Sequence, residues 1–173
     1  GYEKLTEKLT VYSEKLYRDV LTGAYNRRYF EEKVKNMSLN AGVAVIDLDD
    51  FKLINDRYGH EAGDQFLIEV GKRLTEEKQQ DDIIGRLGGD EFLVASLSQP
   101  HQDGDNAQLT LLKTRLSACI AGEYWLGSVH IIYPGASFGV IEVDRAATDP
   151  DSALRAADVA MYQDKKGKSK IGR

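Results

Sequence analysis

Two short stretches supply the acidic side chains that could do chemistry in this sequence. Asp47, Asp49 and Asp50 close an apolar run, and Asp90 and Glu91 follow the pair Gly88–Gly89. If the two stretches lie side by side in one sheet, Asp47, Asp90 and Glu91 share a small volume. Carboxylates crowded together repel unless they are protonated or bridged by a cation, and a hard divalent ion such as Mg²⁺ is the simplest bridge. Such an ion points in turn to phosphate chemistry. The competing reading, acids that cap helices or face solvent, suits Asp50 best. The two glycines allow a sharp turn and let a flat ligand approach the backbone.

The elements that must position these acids can be read from periodicity. Gly42 to Leu48 is almost wholly apolar and rich in valine, the profile of a central strand covered on both faces, with Asp47 at its end. Phe51 to Tyr58 reads as a short helix, Gly59 to Gly63 as a turn, and Asp64 to Leu74 as a helix burying Phe66, Leu67, Val70 and Leu74. Ile83 to Arg86 and Phe92 to Leu97 form a hairpin with Asp90 and Glu91 at its tip. Tyr124 to Tyr133 and Ala136 to Val143 look like a second pair of strands around Pro134 and Gly135.

Asn26 opens a helix carrying Tyr29, Phe30, Val34 and Met37. Ser98 to Asn106 is a polar loop, and Leu109 to Ile120 is helical. A last helix starts at Asp149–Pro150 and gives way to a basic tail, KKGKSK. Leu5, Leu9, Tyr12 and Leu16 make an apolar stripe on an N-terminal helix, either a coiled-coil seam or a face packed on its own domain. The expected fold is α+β: a central mixed, mainly antiparallel sheet flanked by helices, with an N-terminal helix over 1–16 and one domain over 17–173.

At 173 residues the chain holds one well-buried domain, and 23 Lys and Arg against 28 Asp and Glu give a net charge of −5. That balance argues against capture of nucleic acid by a broad basic surface. The single cysteine, Cys119, cannot form an internal disulfide, and no apolar run approaches the length of a membrane span. A cytoplasmic setting is expected, with any membrane attachment lying upstream of this sequence. Other nucleotide and metal motifs fail on spacing. The glycine a P-loop needs five residues before Gly167 is Tyr162, the second histidine of a zinc motif begun at His60 is Asp64, and Phe51 replaces an EF-hand ligand.

Gly88 to Phe92 spells GGDEF, and the sequence resembles the diguanylate cyclase family that carries this signature. Further similar blocks follow in order: DVLTGAYNRR from Asp19, DLDDFKLINDRYGHEAGD from Asp47, RLGGDEF from Arg86, SFGV from Ser137 and ADVAMY from Ala157. The resemblance implies joining of two GTP molecules into cyclic di-GMP with release of pyrophosphate. It implies metal binding by Asp47, the Leu48 carbonyl, Asp90 and Glu91, with Mg²⁺, or Mn²⁺ in its place, as cofactor. Glu91 is the candidate base for the attacking 3′-OH. Asn55 and Asp64 would read the guanine edge beside Leu67, whose donor and acceptor pattern an Asn amide and an Asp carboxylate suit. Lys52, the amides of Asp49 to Phe51 and Lys165 would meet phosphate, and Gly88 and Gly89 would line the substrate. Gly167 and Lys168 arrive one residue earlier than the family's Gly and Arg, leaving open whether Lys168 replaces that arginine.

Many members of that family bind their product at an inhibitory R-x-x-D site. The corresponding window here is Gln79 to Asp82, and Gln79 cannot supply the bidentate fork of an arginine, so no inhibitory site is expected. The resemblance also implies a homodimer, since each domain holds one GTP and the reaction joins two. The alternatives are a degenerate GTP-binding regulatory module and a partner-binding scaffold, both without turnover.

Overall fold

A computed structural model describes residues 1–37, 40–97, 107–144 and 149–171. The predicted loop Ser98 to Asn106 lies outside the described residues. Four strands form the main sheet in the order β2–β3–β1–β6: β1 (Ala41–Asp47), β2 (Ile83–Gly88), β3 (Glu91–Leu97) and β6 (Ser137–Val143). Every pairing between these strands is antiparallel, and one isolated parallel bridge joins Tyr25 to Gly85. A smaller hairpin pairs β4 (Gly122–Leu126) with β5 (Val129–Tyr133).

All seven residues of β1 are buried, and their side chains alternate between two cores as the two-residue period of a strand requires. Ala44 and Ile46 join Phe66, Val70, Phe92, Phe138 and Tyr124 on one face, together with α3 (Phe51–Tyr58), α4 (His60–Glu77) and α5 (Ala107–Ile120). Val43 and Val45 join Phe30, Leu93, Leu154 and Met161 on the other, under α2 (Arg27–Lys35) and α6 (Pro150–Ile171). Helices therefore cover both faces of an antiparallel sheet, as expected of this α+β reading.

Four expectations need correction. Gly59 to Gly63 is not a turn of five residues: Gly59 alone bends the chain at φ 93°, and α4 already runs from His60. Tyr124 to Tyr133 is two strands broken at Gly127–Ser128. The segment after Pro134 does not pair with them; β6 instead zips onto β1, with Asp47 opposite Ser137. Its apolar residues read equally well for either partner, and the choice rests on a tertiary contact absent from local pattern. Lastly, KKGKSK is not a tail but the end of α6, which reaches Ile171.

Asn26 caps α2 as expected, its side chain accepting from the Tyr29 N–H at 2.9 Å. On the N-terminal helix, α1 (Tyr2–Tyr17), the stripe residues Leu5, Leu9, Tyr12 and Leu16 are 57–68% exposed.

α6 sits unusually close to the sheet. A Cβ on Gly139 would lie 1.8 Å from the Ala157 carbonyl oxygen and 2.4 Å from the Met161 nitrogen, so the helix backbone rests directly on β6. Asp164 ties down the following turn by accepting from the Phe138 N–H at 2.9 Å and pairing with Lys113 at 3.2 Å. These contacts aim the next residue, Lys165, at the end of β1.

Candidate active site

The register of the sheet brings the two acidic stretches together. Asp47 stands directly opposite Glu91 in the β1–β3 ladder, and the Leu48 N–H donates to the Asp90 carbonyl at 3.0 Å. The tip between β2 and β3 turns through Gly88 at φ 143° and Gly89 at φ 50°, conformations open to glycine and costly for residues with a Cβ. A register shift between Arg86 and Gly88 bends the ribbon there.

Asp47 is 7% exposed, and its two oxygens differ sharply. Oδ2 accepts from Lys165 Nζ at 3.0 Å, while Oδ1 is buried and accepts no hydrogen bond among the described residues. Burial, then the Asp47 charge, lifts the Asp90 carboxyl above the ordinary carboxylate range. Burial also lifts Glu91, reinforced first by Asp158 and then by Asp47 and Asp90. For Lys165, burial alone would favour the neutral amine, but the hydrogen bond and charge of Asp47 prevail and hold it protonated more firmly than an ordinary lysine. As the side chains stand, no three acidic, histidine or cysteine groups among the described residues converge tightly enough to hold a metal ion. An amine, not a third carboxylate, faces Asp47.

The loop after β1 is held from several sides. Ser137 Oγ donates to Asp49 Oδ1 at 2.8 Å, Lys168 Nζ meets Asp49 Oδ2 at 3.1 Å, and Lys168 also donates to the Ala136 carbonyl. Tyr133 OH donates to the Asp49 carbonyl at 2.7 Å. Burial pushes the Tyr133 phenol far above its usual range, so it stays a donor. Asp50, expected to cap a helix or face solvent, is exposed at the N-cap position of α3 at φ 61° and makes no capping bond with its side chain. The Phe51 N–H, expected to meet phosphate, turns back to the Leu48 carbonyl at 3.3 Å. That carbonyl retains a second lone pair.

Asn55 and Asp64, the residues expected to read guanine, lie on the α3–α4 corner. A Cβ on Gly63 would stand 1.8 Å from Asn55 Oδ1, so the glycine leaves the space in which the Asn55 amide sits, immediately before the exposed Asp64. Leu67, one turn further along α4, is buried in the core, and Lys52 is exposed in the first turn of α3.

Sequence reading missed Ser137, Tyr133, Asp158 and Asp164. Asp158 and Lys165 are seven apart, two helical turns, and so share a face of α6; that spacing was the available signal. Asp158 lines a cavity of about 610 Å³ with Asp47, Glu91, Tyr162 and Lys165. Ser137 and Tyr133 carried no signal before the pairing of β6 with β1 was known.

The family profile "Diguanylate cyclase, GGDEF domain" matches residues 16–170. The chain belongs to the GGDEF family. This GGDEF domain is 49% identical over 175 residues to "Diguanylate cyclase DgcP" of Escherichia coli K12, covering 97% of the chain and 50% of DgcP. It is 33% identical to "Cyclic di-GMP phosphodiesterase PdeR" of the same organism, covering 86% of the chain and 22% of PdeR. A crystal structure of a sensory box/GGDEF family protein from Caulobacter crescentus CB15 superposes with a TM-score of 0.76 at 31% identity, covering 87% of this chain and 99% of that one. The domain thus spans half of DgcP and about a fifth of PdeR. No helix among the described residues is long and apolar enough to cross a membrane.

Proposed function

We propose that this domain is a diguanylate cyclase, condensing two GTP into cyclic di-GMP with release of two pyrophosphates. The observation that carries the reading is the buried Asp47 carboxylate with one bare oxygen, opposite Glu91 and beside Asp90. An all-oxygen donor set with an unsatisfied buried oxygen suits a hard divalent cation. Mg²⁺ is commonly held by one or two carboxylates together with substrate phosphates and water, so a closed protein cage is not required. Asp47, the Leu48 carbonyl, Asp90 and Glu91 would hold Mg²⁺, or Mn²⁺ in its place, and the ion would offset triphosphate charge.

Asn55 and Asp64 bind the guanine edge. Lys52 and Lys165 contact phosphate, and Gly88 and Gly89 leave room for the nucleotide against the backbone. Glu91 accepts the proton from a ribose 3′-OH as that oxygen bonds to the α-phosphorus of the second GTP and the α–β anhydride bond breaks. Repeating the step in the opposite direction closes the ring. Each domain carries one such site, so two copies must face each other, and the exposed stripe of α1 suits a helix pair that sets their orientation.

PdeR, a relative named as a phosphodiesterase, favours a second reading in which the domain binds GTP as a regulatory module. Mass spectrometry of the domain incubated with GTP and Mg²⁺, alone and fused to a strong dimeriser, separates the two. Cyclic di-GMP from the dimerised protein supports the cyclase; GTP bound but unconverted in that same protein supports the regulatory module.

A further inference from the structure

The Asp47–Lys165 pair carries a consequence for the order in which ligands enter, and it rests on the proposed cyclase site. Lys165 Nζ lies 3.0 Å from Asp47 Oδ2, and the other oxygen of the same buried carboxylate has no hydrogen-bond donor among the described residues. A cation taken by Oδ1 would share one carboxylate with the Lys165 ammonium on Oδ2, and the two positive charges would repel each other. Lys165 is also the residue expected to bind phosphate. It cannot hold Asp47 and a polyanion with the same short contacts at once without giving up part of its pairing. Its side chain is 44% exposed against 10% for Asp47, so the lysine is the partner with room to leave.

We propose that Lys165 is an exchange residue: it is the counter-ion of Asp47, and arrival of a divalent cation frees it to bind the triphosphate that accompanies that cation. Cation and nucleotide then bind with strong mutual reinforcement. The cation releases the phosphate-binding amine, and the phosphate keeps that amine from returning. By linkage, each ligand tightens the other by the same factor. Gly139 and Asp164 serve this exchange by fixing the α6 backbone, so that only the Lys165 side chain needs to move. Lys168 differs, because it pairs with Asp49, whose other oxygen is already held by Ser137.

The test titrates Mn²⁺ without nucleotide, following free Mn²⁺ by electron paramagnetic resonance. Lys165→Gln should bind Mn²⁺ about three- to fivefold more tightly than the parent, the size of one partly exposed ion pair at most. Lys168→Gln should move the affinity less than about twofold, the small residue left for a charge that does not share the carboxylate. With a non-reactive GTP analogue present, the reinforcement seen in the parent should shrink in Lys165→Gln. Unchanged or weaker Mn²⁺ binding in Lys165→Gln, equal shifts in both variants, or no Mn²⁺ binding to the parent would each overturn the proposal. If Lys165→Gln does not fold, the parent decides: Mn²⁺ should increase acetylation of Lys165 by an amine reagent, read by peptide mass spectrometry. Constant labelling at saturating Mn²⁺ overturns the exchange. None of these readings involves turnover, so exchange without cyclic di-GMP would count against the cyclase reading alone.

Discussion

Arg86 and Asp19 are joined by two hydrogen bonds, with Nη1 at 2.9 and 3.0 Å from the two carboxylate oxygens. The same guanidinium grips the Gly89 carbonyl through Nε at 3.2 Å and Nη2 at 2.8 Å. Asp19 also accepts from the Thr22 N–H and hydroxyl at 2.9 and 2.7 Å. One arginine therefore clamps the turn after α1 to the glycine tip that carries Asp90. Its side chain is only 12% exposed, so the pair is shielded from much of the screening that weakens surface bridges.

Arg86→Ala should lower stability by about 1–3 kcal/mol, the cost of leaving partly buried charged acceptors without their donor. Turnover should fall further than the loss of folded protein explains, because the tip loses its anchor. Urea unfolding and steady-state rates on the same preparation check both parts. A stable variant with full turnover would remove Arg86 from the account.

The acids of the site should make stability depend on pH in a way a divalent ion cancels. The Asp90 and Glu91 carboxyls are raised above their ordinary 3.8 and 4.5, by burial first and by neighbouring carboxylates next. Between those ordinary values and the raised ones the folded state binds more protons than the unfolded chain, so stability falls as pH rises through that window. Without divalent ions the melting temperature should therefore climb as the pH is lowered toward those ordinary values, and Glu91→Gln should raise it above that window. Mg²⁺ should flatten the slope.

At lower pH the opposite sign takes over. Burial works against the charged form of Asp19, but the Thr22 hydrogen bonds and Arg86 outweigh it and hold its carboxyl below the ordinary 3.8. The stability it contributes is complete above that value and is lost as pH falls through the lowered one. Asp19→Asn should show a shallower acid limb in thermal melts below pH 4 than the parent.

Gly63→Ala separates binding from folding. Within a helix a Gly-to-Ala change ordinarily gains up to about 1 kcal/mol, and Gly63 stands in the first turn of α4. Here the added Cβ would stand 1.8 Å from Asn55 Oδ1, the end of a side chain that can swing away. The variant should fold as well as the parent while its Kd for a non-reactive GTP analogue rises at least about tenfold, equivalent to losing one or two hydrogen bonds to the base. Unaltered affinity in calorimetry would take Asn55 out of the guanine site.

Product inhibition through the Gln79–Asp82 window should be weak. Asp82 is 6% exposed, and its Oδ2 already accepts from Arg115 Nη2 at 3.1 Å and from the Gln79 N–H at 3.0 Å. Cyclic di-GMP added to a turnover assay should change the rate by less than about twofold, as expected where the window itself supplies no arginine fork and Arg115 is already paired with Asp82. Strong inhibition abolished by Asp82→Ala would contradict this.

What sequence could tell followed from period and residue type. β1 showed as a central strand because all seven of its residues are buried, and Asp47, Asp90 and Glu91 stood out because acids at the ends of apolar strands are conspicuous. The pairing of β6 with β1 was not legible, since an apolar strand does not name its neighbour. With it went Ser137 and the support that Tyr133 gives to the Asp49 loop. The Asp47–Lys165 contact spans 118 positions in the chain and depends on Gly139 admitting α6 to the sheet. A glycine in a strand marks a close approach without saying of what.

Anomalous diffraction from crystals grown with Mn²⁺ and a non-reactive GTP analogue would show whether Asp47 is a metal ligand. A manganese peak coordinated by Asp47 and Asp90 is expected, with the triphosphate on the same ion and Lys165 turned from Asp47 to phosphate. Nucleotide bound with no manganese at Asp47, and the Asp47–Lys165 pair intact, would contradict it.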